Sequence, residues 1–240
     1  MDKAIVIGVG PEDGLGGQLC RRFASRGLHV FIAGRTREKL DTLAAAISAD
    51  GGTATAVVTD ATRESEVIGL FDEAEAIAGD LALAIYNVGN NTPGRIIDME
   101  ADYFENAWRT GCLGGFLFGR EAVRRMQDKG GSLLFTGASA SMRGRPGFGA
   151  FNSSKSALRI LAQAMAKEYG PEGIHVGHVV VDGAIAGEKI KSRFPDYAER
   201  LGEDGMINLQ GIVDAFEYLY RQPRNGWSFE VDIRTSLEKW

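Results

Sequence analysis

The sequence has little of what would place it outside the reducing interior of a cell. It carries two cysteines, Cys20 and Cys112, in 240 residues. That is too few for a disulfide framework, and both fall in segments of helical pattern, so buried free thiols in a cytoplasmic setting are expected. Histidine is scarce too, with three in all. His175 and His178 stand three apart on one strand-like run and so face opposite sides, which defeats a shared metal site; no metal is expected. There is no excess of positive charge. A net charge of -5 argues against nucleic acid or an anionic membrane as partner, because both need a basic surface. No apolar run is long enough to cross a bilayer, the longest being runs such as Val176–Val181. The amino terminus enters a strand-like segment at once, without the basic region, apolar core and cleavage site of a secretory signal. No Pro- or Ser-rich linker, internal repeat or low-complexity tract interrupts the chain, so one domain spanning residues 1–240 is expected.

What is present is alternation. Short runs rich in β-branched and aliphatic residues occur at Ala4–Val9, His29–Ala33, Ala54–Val58, Leu81–Tyr86, Ser132–Thr136, His175–Val181 and Ser228–Ile233. Continuous runs of this kind suit strands buried on both faces of a parallel sheet. Between them lie segments of helical period, including Leu15–Arg26 (apolar at Leu15, Leu19, Phe23) and Arg37–Ser48 (Leu40, Leu43, Ile47). The two longest are Asp102–Asp128 and Phe148–Tyr169. Such alternation predicts right-handed βαβ crossovers and a doubly wound α/β Rossmann fold, with one seven-stranded parallel sheet and helices on both faces.

Straight after the first strand comes a glycine-rich turn, Gly8-Val-Gly10-Pro-Glu-Asp-Gly14-Leu15-Gly16-Gly17, which opens a helix. A cofactor pyrophosphate must approach backbone amides and the positive end of a helix dipole, and glycines clear its way. The second strand ends in Gly34 with Arg35 next, where an acidic residue would favour NAD(H). An arginine there suits the 2′-phosphate of NADP(H), so NADP(H) is favoured over NAD(H).

On these residues the chain resembles the short-chain dehydrogenase/reductase family over essentially its whole length. Gly10-x-x-x-Gly14-x-Gly16 is similar to the family's glycine loop, with Gly8 as the alternative first glycine if the loop carries an insertion. Asp60, followed by Ala61, stands where the family's adenine-contacting Asp does. Asn87-Val88-Gly89 resembles the Asn-Ala-Gly motif, and Lys155 the Lys of Tyr-x-x-x-Lys. Asp182-Gly183 stands where Pro-Gly follows the sixth strand. The resemblance implies hydride transfer between a nicotinamide and a carbonyl or alcohol, with a Tyr moving the proton and the Lys lowering its pKa and holding the ribose. It also implies a mobile substrate lid around residues 184–205, and a homodimer or homotetramer built on Asp102–Asp128 and Phe148–Tyr169.

The sequence departs from the family at the proton. Phe151 occupies the Tyr position and cannot titrate; Gly111 occupies the Asn position. The Ser position falls on Ala138, or on Ser139 if one residue is deleted before Pro146. The other nearby hydroxyls, Ser141, Ser153 and Ser154, are poor acids near neutral pH, and Tyr86 is expected to point into the packing. Three readings stay open: an NADP(H)-dependent oxidoreductase with an incomplete tetrad acting on a small carbonyl or alcohol, a non-catalytic NADP(H)-binding protein, and a lyase or isomerase in the same scaffold. General acid–base catalysis contributes about 10²–10⁴-fold, so its loss slows a reductase without forbidding turnover.

Overall fold

A computed structural model describes residues 1–89, 91–187, 190, 192 and 194–238. Seven strands form one parallel sheet in the order β3-β2-β1-β4-β5-β6-β7. They are β1 (Lys3–Ile7), β2 (His29–Gly34), β3 (Thr53–Val58), β4 (Leu81–Tyr86), β5 (Gly131–Thr136), β6 (Ile174–Asp182) and β7 (Glu230–Arg234). The last starts two residues later than the apolar run suggested. Each crossover carries helix, so the fold is the doubly wound Rossmann arrangement expected from the alternation.

The two-residue period of a strand divides the core in two. Ala4 and Val6 of β1 face a cluster with Leu19 and Phe23 of α1 (Leu15–Ser25), Leu40 and Leu43 of α2 (Arg37–Ala49), and Phe216 of a C-terminal helix. Ile5 and Ile7 face the other way, toward α3 (Glu64–Glu75) and Phe118, Leu158 and Met165 beyond it. Leu15, Leu19 and Phe23 lie on one stripe because four residues nearly complete a helical turn, and all three are buried. Cys20 is buried on that helix, and burial pushes its thiol pKa far up, so it packs as a small apolar side chain. Cys112 is half-buried, not wholly buried as the sequence suggested.

The predicted long helix Asp102–Asp128 is broken. It runs as α4 (Ala101–Trp108), a π-helical turn at Arg109–Leu113, and α5 (Gly114–Met126). The cause lies against its middle: a Cβ on Gly111 would fall 2.7 Å from both Cβ and Oγ of Ser154 on α6 (Gly149–Tyr169). Glycine lets the two helices touch, and the extra residue of the π turn is accommodated there. Gly111→Asn should therefore lower Tm, an overpacking cost of about 1–3 kcal/mol, and Ser154→Gly in the same chain should recover most of it. Thermal melts of the single and double variants check this.

Within residues 184–205, α7 (Pro195–Leu201) and a bridge between Ile185 and Ile207 are formed; residues 188, 189, 191 and 193 lie outside the described residues. The remaining helix, α8 (Leu209–Tyr220), is capped by Asn208, whose side chain accepts from the Gly211 amide at 3.0 Å. Among the described residues no helix is long and apolar enough to cross a membrane.

Candidate functional site

The chain runs outward from β1 to β3 and then crosses back to β4, so the carboxyl ends of β1 and β4 form the switch point where open α/β sheets bind ligands. The loops leaving them are tied together. Gly8 has φ 92°, and a Cβ there would stand 2.6 Å from the Asn87 carbonyl carbon. Both the left-handed dihedral and the close approach demand glycine. Asn87 donates from Nδ2 to the Gly8 carbonyl at 3.2 Å and accepts from Thr136 Oγ1 at 2.9 Å, bridging three strand ends. Its side chain is committed to the scaffold.

Gly14 is the N-cap of α1 and offers no side chain to the helix's free amides. The first-turn amides, Leu15 and Gly16 among them, are thus left for an anion in front of the helix. Beside them Gly10 faces open space, with nothing within 4 Å of where a Cβ would be. Arg35 leaves the end of β2 exposed to solvent. Across from it, Asp60 follows β3 and accepts from the amide and hydroxyl of Thr62 at 2.9 and 2.8 Å. Burial works against the Asp60 charge, but those hydrogen bonds and the charges of Arg35 and Arg63 outweigh it and hold the carboxyl below its usual range. Ala61 beside it is buried. These residues, with Gly89, form the surface along the carboxyl edge of the sheet from β3 to β4.

At the far end of that surface stands Lys155 on α6, only 5% exposed. Its Nζ donates to the Thr136 carbonyl at 2.9 Å, with a longer contact of 3.5 Å to the Val88 carbonyl, and a Cβ on Gly89 would lie 2.9 Å from it. Burial lowers its pKa from 10.5 to about 8. Next to Nζ opens a cavity of about 200 Å³ lined by Phe151, Ser154, Gly111, Thr110, Tyr103 and Thr92, among others. Phe151 is part of its wall. Ser139 is not among the lining residues; it begins a 3₁₀ turn after the extended Ala138. Gly183, with φ 153°, packs against Ile207 at the end of β6.

Several residues at this centre carry no sequence motif. His178 projects from β6 on the side of α6, fully buried, and its Nδ1 lies 2.9 Å from Glu230 Oε2 on β7. Arg159, one turn beyond Lys155, holds the same carboxylate at 2.6 and 2.8 Å. The hydrogen bonds from Arg159 and His178 bring the Glu230 pKa to about 2, while burial pushes that of His178 down, so the imidazole stays neutral. His175 faces the other side of the sheet and stacks on Trp227. A lone polar residue in an apolar run was the signal for His178. Tyr86 is buried as expected, its hydroxyl donating to the Thr110 carbonyl at 2.6 Å.

Comparison with known proteins bears on the family and the fold. The short chain dehydrogenase family profile matches residues 3–196. Oxidoreductase asL5 of Sarocladium schorii is 31% identical over 205 residues, which are 85% of this chain and 78% of that protein. The oxidoreductase YuxG of Bacillus subtilis (strain 168) is 31% identical over 192 residues, 78% of this chain; the match spans 28% of that relative's length. A crystal structure of a short-chain dehydrogenase from Rhodopseudomonas palustris, 35% identical, superposes with a TM-score of 0.82 over 97% of this chain and 98% of the other. The profile match over most of the chain, together with the shared sheet order, makes this protein a member of the short-chain dehydrogenase family.

Proposed function

We propose that the protein is an NADP(H)-dependent oxidoreductase that reduces a small carbonyl compound or oxidises the corresponding alcohol. The observation that supports this reading is that the uncapped first turn of α1 follows β1, while the Lys155 amine bonds the carbonyls of Thr136 and Val88 at the ends of the neighbouring β5 and β4. The glycine loop at Gly8, Gly10, Gly14, Leu15 and Gly16 would hold the pyrophosphate; Arg35 would meet the 2′-phosphate; Asp60 and Ala61 would flank the adenine. Gly89 leaves space for the nicotinamide ribose, and Lys155 would hold its hydroxyls. The bound dinucleotide supplies the hydride. Phe151 would form one apolar wall beside the reacting carbon. Ser139, at the β5 turn, would orient the substrate oxygen once a ligand draws the loop inward, and Gly183 marks the nicotinamide end of the cleft under the lid.

We place the protein in the cytoplasm, where its free thiols persist, and as a homodimer or homotetramer. Phe104 and Trp108, one turn apart on α4, and Phe116 on α5 are 42%, 40% and 38% exposed. These are the helices through which the family resemblance implies that a second copy packs. Sedimentation of wild type and Trp108→Glu should show a larger species for wild type alone.

The experiment that tests the cofactor reading is titration with NADPH, followed by nicotinamide fluorescence, on wild type and Lys155→Met. Loss of the ammonium should weaken NADPH binding with the circular dichroism spectrum unchanged; unaltered affinity would remove Lys155 from the site. The same variant has a stability signature. A pKa lowered from 10.5 to about 8 corresponds to roughly 3 kcal/mol against the charged amine. Because the folded pKa is the lower one, that cost is fully present below about pH 8 and fades as pH rises toward the unfolded value. Lys155→Met should therefore melt at a higher temperature than wild type near pH 7, and the gap should close on the alkaline side.

A further inference from the structure

The reductase reading leaves the proton without a source, because Phe151 cannot give one. Lys155 is placed to do so. An ammonium has three donors; among the described residues the Thr136 carbonyl takes one at 2.9 Å and the Val88 carbonyl stands at the outer limit at 3.5 Å, which leaves one N–H for the ribose and one for the cavity beside it. That cavity, at about 200 Å³, has room for several waters, which need polar partners to stay. Its wall offers such groups among apolar ones. Thr92 is 9% exposed, and its buried Oγ1 has no partner within the described residues. Tyr103, whose hydroxyl donates to the Pro93 carbonyl at 3.0 Å, and Asn106 line the solvent side. Gly111 and Ser154 complete the wall where their helices touch.

We propose that Lys155 is itself the general acid of this protein, and that it is re-protonated from solvent through the cavity by water bound at Thr92 and Tyr103. This rests on the reductase reading. As the substrate carbonyl carbon gains the hydride, its oxygen takes one proton from a Lys155 N–H, directly or across one water. The neutral amine then accepts a proton from a cavity water, which is replenished from bulk solvent. In oxidation each transfer reverses. An amine titrating near 8 is well matched to such exchange. The other ionisable groups facing it keep their charge across this range. His178 from β6 stays neutral, and Glu230 from β7 stays ionised against Arg159 of α6. Tyr103 of α4 is the remaining titratable side chain on the cavity wall, and its variant below controls for it.

Two readouts decide the matter. The first uses the protein without cofactor: the ¹⁵N resonance of the Lys155 amine, identified by its loss in Lys155→Arg, is followed against pH. A midpoint near 8 is expected, and one above about 10 would overturn the proposal. The second is single-turnover oxidation of NADPH with phenanthrenequinone as the probe carbonyl. Wild type should lose rate about tenfold per pH unit above the midpoint. Lys155→Arg keeps the positive charge but does not release a proton, so it should bind NADPH within a few-fold of wild type yet react about 10²-fold more slowly. Thr92→Val and Tyr103→Phe should each slow the step about tenfold with NADPH affinity unchanged. A Lys155→Arg protein as fast as wild type would overturn the proposal and leave the reductase reading standing. If wild type itself oxidises no NADPH, that reading fails and the proposal with it.

Discussion

Phe151→Tyr should reduce carbonyl substrates faster than wild type, by up to the ~10²–10⁴-fold that a positioned general acid contributes. The new hydroxyl would stand one helical turn from Lys155, whose ammonium stabilises phenolate and draws the phenol's pKa below its ordinary value near 10. The gain should fall short of the upper figure. Gly111 and Ala138 leave the phenol without the partners it has in the family, and Lys155 would no longer be the sole acid. The competing outcome is that Phe151 only fills apolar space, in which case the hydroxyl is buried unsatisfied at about 1–3 kcal/mol and Tm falls with no gain in rate. Because Phe151 lines an open cavity rather than the sealed core, a small change in Tm is expected. NADPH oxidation against aldehydes, diketones and quinones, together with a melt, separates the two.

Arg35→Ala should cost roughly tenfold to somewhat over a hundredfold in NADPH affinity while leaving NADH affinity nearly unchanged. A hydrogen bond to a charged group is worth about 1.5–3 kcal/mol net, and a phosphate offers the guanidinium a bidentate partner. Arg35 is exposed, so it can turn to a ligand without breaking a buried ion pair. Titration of both cofactors against both proteins reads the effect. Equal losses for NADPH and NADH would mean that Arg35 does not meet the 2′-phosphate.

Sequence pattern located the strands because a buried parallel strand is apolar at nearly every position, a signal independent of its neighbours. The glycine loop was legible for the same local reason: strand, turn and helix follow one another within the span of Ile7 to Leu15. The break in the predicted helix Asp102–Asp128 was not. It depends on the contact between Gly111 and Ser154, residues of helices separated by a whole strand, and helical periodicity is blind to a partner. The same missing contact map hid the cavity wall. Tyr103 lies on a face of α4 that sequence alone could not assign, Thr110 lies in the π turn after it, and Thr92 belongs to a loop. His178 was noticed only for its spacing from His175, and the two do face opposite sides of the sheet; its pairing with Glu230 needed β6 and β7 to be neighbours. The sequence also carries the expectation on which the proposed chemistry turns, that Phe151 stands where the resemblance implies a phenol.

The measurement that bears most directly on hydride transfer uses NADPH deuterated on the transferring face of the nicotinamide. The protein is incubated with the aldehydes and diketones of the panel, whose alcohols keep the transferred atom on carbon, and the products are analysed by mass spectrometry. The expected result is an alcohol carrying one deuterium on the former carbonyl carbon, in an amount that falls in Lys155→Met. NADPH that binds tightly yet leaves every carbonyl in the panel undeuterated would contradict the account and mark the protein as a binder of the cofactor rather than a catalyst.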